Sequence, residues 1–145
     1  YLLGEKEVGK NVVVIGGGLT GCEVAYDLHL KGKNTTTVEM KDDLMAVPGI
    51  CLANSSYLRD YFNWKNVPVY LESSVAEIKE NTIVVNTKDG QKEVDADSII
   101  LTIYIGDKVA DRHNVQPELH PKNNSDKQVY LACRCCFVTC LLVHV

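Results

Sequence analysis

Three consecutive glycines, Gly16–Gly18, follow directly on the apolar run Val12–Ile15 in the segment VVVIGGGLTGCE. A short run of β-favouring residues bounded in this way predicts a strand that is buried on both faces. Glycine at the end of such a strand allows backbone conformations and close contacts that a Cβ would forbid. The chain is therefore expected to leave this strand through a tight turn.

The residues around the glycines predict a β-α-β unit. The segment LTGCEVAYDLHLKG places Cys22, Ala25, Leu28 and His29 on one helical face, and Gly32 is suited to end the helix. NTTTVEM then returns to β-branched residues and predicts a second strand. Such a crossover is almost always right-handed, so the two strands are expected to be parallel neighbours.

The glycines fit the G-x-G-x-x-G fingerprint of a dinucleotide-binding turn. Its fixed positions are Gly16, Gly18 and Gly21, and its variable positions are Gly17, Leu19 and Thr20. The first glycine allows the turn, the second lets the backbone approach a pyrophosphate, and the third lets the helix pack on the strand. The amides and the positive dipole end of the helix would then hold the phosphates.

An acidic residue follows at the spacing that this fingerprint requires. Glu39 lies 21 residues after Gly18, at the end of the second predicted strand. A carboxylate there accepts hydrogen bonds from the ribose hydroxyls of adenosine and repels a 2′-phosphate, which favours NAD(H) over NADP(H). Lys41 softens that preference, because a nearby cation tolerates a phosphate. The alternative is a glycine turn that holds no ligand.

The rest of the chain predicts further elements. CLANSSYLRDYFNWKN predicts an amphipathic helix whose apolar face comprises Leu52, Leu58, Tyr61, Phe62 and Trp64, and VPVYL predicts a third strand. Residues 73–97 alternate in polarity between turn signals, including Asp89-Gly90, and predict a three-stranded antiparallel meander. SIILTI predicts a buried strand, the polar stretch 107–128 a flexible loop, and QVYLA a last strand.

Composition excludes several classes of function. The chain has 145 residues, 46% apolar and 23% charged, as in ordinary globular domains. Its net charge of −4 argues against nucleic-acid binding, and no apolar run reaches the roughly 18 residues that a membrane-spanning helix needs. With no signal peptide evident, a cytoplasmic location is expected. Since the chain begins at Tyr1, we expect a segment of a longer protein.

The segment GKNVVVIGGGLTGCEVAYDLHLKGKNTTTVEM resembles the NAD(P)H-binding domain of the two-dinucleotide-fold flavoprotein reductases. Within that superfamily it is most similar to the C-terminal part of the 2,4-dienoyl-CoA reductase and enoate reductase group, which includes NADH:flavin oxidoreductases. The resemblance covers residues 9–103. It implies a Rossmann-like α/β fold in which a parallel sheet carries a three-stranded antiparallel meander crossover.

The resemblance also implies cofactors and partners. The domain, residues 1–104, would bind NAD(P)H and deliver its hydride to FAD or FMN held by the remainder of the parent flavoenzyme. An iron–sulfur cluster outside this segment remains compatible with it. Residues 105–145 are expected to form a divergent loop and a C-terminal strand or tail of the same domain. No catalytic side chain is predicted, because the histidines are scattered and the cofactor carries the chemistry.

Further site residues follow from the resemblance. Met40 and Lys41 adjoin Glu39, while Thr102 and Ile103 end the strand that returns to the dinucleotide site. Glu23 would lie near the nicotinamide half, or else be a helix-start charge. Val75 would pack on the adenine, or else in the core.

The tail departs from the family pattern. Gly106 is displaced with no proline after it, and Cys133-Arg134 replaces the Gly-Asp pair that meets a flavin, so no flavin-binding residue is carried over. The tail cysteines spell C-x-C-C-x-x-x-C, which matches neither zinc-ribbon nor ferredoxin spacing and favours accidental thiols over a metal cluster. Two rival functions remain open: an FAD-binding domain, or a non-enzymatic fragment with a vacant site.

Overall fold

The computed structural model describes residues 7–103, 129–133 and 139–144. It contains two helices and nine strands in those ranges. The elements are β1 Asn11–Ile15, α1 Leu19–Leu30, β2 Asn34–Val38, α2 Leu52–Lys65, β3 Val69–Tyr70, β4 Ser74–Ile78, β5 Thr82–Thr87, β6 Gly90–Asp95, β7 Ser98–Ile103, β8 Val129–Cys133 and β9 Thr139–His144.

The main sheet has six strands in the order β3-β2-β1-β7-β9-β8. The first four strands are parallel, with β1 paired to both β2 and β7. The prediction of a parallel sheet therefore holds for these four. β9 runs antiparallel to β7 and to β8, so the tail adds an antiparallel extension. The tail strand β9 was not predicted from the sequence.

The meander forms a second sheet of three antiparallel strands, β4-β5-β6, between β3 and β7 in the chain. Its predicted position is confirmed, although the turn is shifted by one residue. Thr87 pairs with Gly90, so Lys88 and Asp89 form the loop, and Gly90 adopts φ +117° at the start of β6. A positive φ at this position explains the glycine.

Two apolar clusters show which elements pack on each face of the main sheet. Val12, Val14 and Ile100 pack with residues of α1 and α2, whereas Val13 and Ile99 pack with the meander. The helices therefore cover one face of the main sheet and the meander covers the other. Because β1 is buried on both faces, it carries the continuous apolar run seen in its sequence.

Helix α1 ends as predicted. Gly32, at φ +76°, donates its amide to the His29 carbonyl at 3.0 Å, and the Lys33 amide reaches the Leu28 carbonyl at 3.0 Å. This pair of bonds is the Schellman motif, which satisfies carbonyls that the helix leaves unpaired. Cys22, Ala25 and Leu28 are buried as predicted, and His29 is partly buried.

The predicted apolar face of α2 is correct for Leu58, Tyr61 and Phe62, which are buried. It is wrong for Leu52 and Trp64, which are 76% and 72% exposed. At 3.6 residues per turn, both lie roughly 120° around the helix from the centre of the buried face. The Trp64 ring instead lies under the Lys65 ammonium, 3.7 Å from the ring centroid.

The other assignments concern residues beyond the described ranges. The predicted loop at 107–128 and the domain division at residue 104 lie outside them, so both stay predictions. The interpretation of the tail cysteines as accidental thiols also stays a prediction, because the side chains of the tail are not described. Neither helix of the described residues has the length and apolarity required to cross a bilayer.

Candidate functional site

The candidate site is the turn between β1 and α1. Gly16 adopts φ +107°, a conformation that L side chains rarely adopt, and its amide donates to the Val38 carbonyl at 2.9 Å. A Cβ on Gly16 would also overlap the Thr102 carbonyl and lie 2.9 Å from the Thr102 hydroxyl. The first glycine is therefore required by both backbone conformation and space.

Gly21 lies in the first turn of α1, against the same strand end. A Cβ there would overlap the Gly16 carbonyl oxygen and lie 2.6 Å from the Thr102 hydroxyl. That hydroxyl is within hydrogen-bond distance of the Ile15 and Gly16 carbonyls, at 3.1 and 2.9 Å. Any side chain at position 21 would therefore prevent the helix from packing this closely against the end of β1.

Gly18, the N-cap of α1, differs from its neighbours. It has an extended conformation, φ −68° and ψ 178°, that any residue adopts, and a Cβ there would meet nothing within 4 Å. No side chain caps the helix here, so ligand or solvent must satisfy its leading amides. The fold itself does not demand glycine at this position, and the open space fits a bound phosphate.

Glu39 reaches the turn from the end of β2. Its Oε2 accepts the Gly17 amide at 2.5 Å, and its Oε1 accepts the Lys41 amide at 2.8 Å. The carboxylate is partly buried. Each of its oxygens has a lone pair left, so the group can still accept hydrogen bonds from a ligand's hydroxyls. The structure therefore brings Glu39 and the glycine turn together, as the sequence spacing predicts.

Met40 and Lys41 follow Glu39 at the surface. The Met40 side chain is 59% exposed, while the Lys41 ammonium donates to the Ala46 carbonyl at 2.9 Å. Glu23 is exposed on α1 beyond its first turn, which contains no acidic residue. Because the helix dipole acts mainly within the first turn, the helix-start explanation of Glu23 has little support.

The remaining predicted site residues have structural surroundings. Thr102 is buried beneath the glycine turn, and Val75 packs against the cluster between the main sheet and the meander. The packing interpretation of Val75 is therefore the one that its contacts support. Ile103 ends β7 opposite Thr139, and its side chain lies outside the described part of the chain.

Cys22 lies directly beneath the turn. It is fully buried, and its Sγ is 3.4 Å from the Gly17 carbonyl oxygen. Burial raises the pKa of this thiol from 9.0 to about 12, and the Glu39 carboxylate adds to the rise. A neutral thiol is a poor nucleophile, so Cys22 is a packing residue.

Sequence reasoning missed three residues beside the turn. Leu44 and Met45 are buried although they lie in the segment between β2 and α2 that has no regular structure, and the Met45 amide donates to the Gly17 carbonyl at 2.6 Å. Arg59 of α2 bonds to this same segment. The adjacent apolar pair within KDDLMAVPG was the available signal for Leu44 and Met45, whereas no pattern marked Arg59.

An open glycine turn at the start of a helix, faced by a carboxylate from the next parallel strand, defines a Rossmann-like dinucleotide-binding fold. Residues 1–124 match the model of the pyridine nucleotide-disulphide oxidoreductase family. The chain belongs to this family of flavoprotein oxidoreductases, which use FAD and NAD(P)H.

Individual relatives agree with this assignment. Cinnamate reductase from Clostridium sporogenes is 37% identical over 109 residues, which is 74% of this chain and 16% of that protein. Bacillithiol disulfide reductase from Staphylococcus aureus has a similar fold, with TM-score 0.62 and 18% identity over 86% of this chain and 35% of that one. 2-Naphthoyl-CoA reductase also has a similar fold, with TM-score 0.60 and 24% identity over 69% of this chain and 15% of that one. The chain thus spans about a sixth of cinnamate reductase.

Proposed function

We propose that this chain is the NADH-binding module of a larger flavin-dependent oxidoreductase. NADH, when bound, supplies a hydride to a flavin held by the remainder of the parent enzyme. The observation that carries the proposal is the contact of the Glu39 carboxylate with the Gly17 amide beside the open face of Gly18. The partner is that remainder, and the expected location is the cytoplasm.

The chain's own residues would bind and orient the dinucleotide. Gly18 leaves space for the pyrophosphate next to the uncapped amides of α1, whose dipole end attracts the negative charge. The free lone pairs of Glu39 would accept the ribose hydroxyls, and its charge would repel the extra phosphate of NADPH. Gly16 and Gly21 act indirectly, because they fix the position of α1 against β1.

Two observations support a reductase of the enoate type. The first is the 37% identity to cinnamate reductase, whose name describes reduction of an unsaturated carboxylate. The second is the resemblance of the glycine-turn segment to the enoate and 2,4-dienoyl-CoA reductase group. The other similar structures support the fold alone. The isolated chain is expected to bind NADH without turning over substrate.

Calorimetric titration of the 145-residue chain with NADH, NADPH and FAD tests the proposal. NADH should bind most tightly. Glu39→Gln should lower the ratio of the NADPH to the NADH dissociation constant by about tenfold, the equivalent of one charge-assisted contact. Glu77→Gln is the matched control, because Glu77 is an exposed glutamate on the meander. Tightest binding of FAD would replace the proposal with its flavin-binding rival, and no binding would favour a vacant site.

A further inference from the structure

Residues 41–46 fold back over the glycine turn. Leu44 and Met45 are only 5% and 4% exposed. The Leu44 side chain packs against Gly17, because a Cβ added to Gly17 would lie only 2.6 Å from Leu44 Cδ2. The Met45 amide donates to the Gly17 carbonyl at 2.6 Å. This segment therefore forms one wall of the candidate site and continues directly from Glu39.

The segment has little regular structure to hold it. Met45 adopts φ +53°, a region that a side-chain-bearing residue enters at a cost. Among the described residues, the single backbone hydrogen bond donated from within Asp42–Ala46 is the one from Met45 to Gly17. The segment also accepts two backbone bonds, from the Val47 amide on the Met45 carbonyl and from the Glu72 amide on the Lys41 carbonyl. Side-chain contacts supply the rest of its support.

Arg59 of α2 supplies those contacts. Its Nε and Nη2 donate to the two carboxylate oxygens of Asp43 at 3.1 and 2.8 Å, and Nη2 also donates to the Leu44 carbonyl at 2.5 Å. A planar guanidinium that binds a carboxylate in this two-point manner fixes orientation as well as distance. Because α2 packs into the core through Leu58 and Phe62, Arg59 is a rigid support.

The same segment also holds the side chain of Lys41, the lysine that lies two residues after Glu39. The Lys41 ammonium donates to the Ala46 carbonyl at 2.9 Å, and the Lys41 amide donates to Glu39 at 2.8 Å. While the segment keeps this shape, the ammonium is committed to a backbone carbonyl. If the segment is released, the flexible lysine side chain can turn toward an anion beside Glu39.

We propose that Arg59 is a positioning residue for nucleotide selectivity: by holding Asp43 and the Leu44 carbonyl, it keeps the Lys41 ammonium on Ala46 and so denies NADPH a partner for its 2′-phosphate. The inference rests on the proposed function of the glycine turn. We call the bonds from Arg59 to the Asp43 carboxylate and the Leu44 carbonyl the loop clamp. The inference assigns the choice between NADH and NADPH to this loop clamp together with Glu39.

The test is calorimetric titration of the 145-residue chain and its variants with NADH and NADPH. Arg59→Gln and Asp43→Asn each break the clamp from one side. Each should lower the ratio of the NADPH to the NADH dissociation constant by about fivefold, the effect of one exposed charge contact. Lys65→Gln is the matched control, because it removes a positive charge from the same helix at a site over the Trp64 ring. It should leave the ratio unchanged.

A double variant separates a positioning role from a merely structural one. Lys41→Gln alone should change the ratio less than twofold, because its ammonium is already engaged. In the Arg59→Gln background, Lys41→Gln should restore the original preference for NADH, and this non-additivity is the signature of coupling. Thermal unfolding of each variant identifies any that fails to fold, and the exposed Asp43→Asn then carries the test.

The outcomes distinguish the two proposals. If the unmodified chain binds neither nucleotide, the proposed function fails and this inference fails with it. If the chain prefers NADH but the ratio is unchanged in Arg59→Gln and Asp43→Asn, the inference alone is overturned. It is also overturned if the ratio falls but Lys41→Gln does not restore it, because the cation would then be unconnected with the effect.

Discussion

Helices α1 and α2 cover the same face of the main sheet, yet they are held there in different ways. α1 is placed by backbone contact, since Gly21 lies against the Gly16 carbonyl with no room for one more atom. α2 is placed by side chains: Tyr61 packs edge-on against Tyr26 at 4.6 Å between centroids, and its hydroxyl lies 2.8 Å from His29 Nδ1. At Gly21 the helix that shapes the site therefore tolerates no added atom, whereas the supporting helix tolerates many changes on its outer face.

The largest effect should come from Gly21→Ala in α1. Its Cβ would overlap the Gly16 carbonyl oxygen, and backbone on both sides must move to admit it. We expect the free energy of unfolding to fall by more than about 3 kcal/mol, or the chain not to fold. Gly18→Ala is the control: it should cost under about 1 kcal/mol while weakening NADH binding. Circular dichroism during denaturation measures both. Similar stability losses in the two variants would contradict the close-packing argument.

The second comparison lies within α2. Phe62 is 2% exposed and Trp64 is 72% exposed, although both are large aromatic residues two positions apart. Phe62→Ala should lower the free energy of unfolding by about 3–5 kcal/mol because it leaves a cavity. Trp64→Ala should cost less than about 1 kcal/mol, the value of an exposed cation–π contact. Urea unfolding of both variants provides the measurement. A large cost at Trp64 would mean that the outer face of α2 is covered.

The third prediction concerns pH and the buried thiol of α1. The pKa of Cys22 is raised from 9.0 to about 12, so the unfolded chain loses this proton at lower pH than the folded one. The thiol's contribution to stability is therefore complete below pH 9 and declines between pH 9 and 12. By pH 10 the decline should be roughly 1.4 kcal/mol. The free energy of unfolding should be measured at pH 7 and pH 10 for both proteins. Its fall between these pH values should be smaller in Cys22→Ala than in the unmodified chain, by roughly 1.4 kcal/mol. Equal slopes would contradict the shift.

The smallest effect is expected in β2, beneath the helices. Thr35 and Thr37 pair with Val12 and Val14 and share their helix-covered face, and their buried hydroxyls have no hydrogen-bond partner among the described residues. Thr37→Val should raise the free energy of unfolding by about 1 kcal/mol, because it removes an unsatisfied buried group with little change in volume. Thr36→Val, on the opposite face, should change it less. Differential scanning calorimetry compares the stability of the two variants. Destabilisation by Thr37→Val would mean that the Thr37 hydroxyl has a hydrogen-bond partner after all.

Much of the fold could be predicted because its signals are local. The β1-glycine-α1-β2 unit, the Gly32 helix end and the meander each depend on residues close together in sequence. The errors occurred where a local pattern was ambiguous. Leu52 and Trp64 fit an apolar helix face as well as Tyr61 does, and only the direction in which α2 packs separates them.

The candidate site shows the same division. The spacing of Gly18 and Glu39 predicted that a carboxylate would reach the turn, because neighbouring parallel strands end at the same edge of the sheet. The burial of Leu44 and Met45 was not predicted, since it depends on where a loop folds over the turn. The contact between Arg59 and Asp43 joins residues 16 positions apart, and no periodicity encodes it.

The sequence by itself determined the glycine turn and the carboxylate facing it, because steric limits on the backbone and the geometry of parallel strands require them. Only the tertiary structure decided that Gly18 faces open space while Gly21 is closed in, that Lys41 is engaged by Ala46, and that α2 supports the loop through Arg59. These features depend on distances between elements, and packing of the whole chain sets those distances.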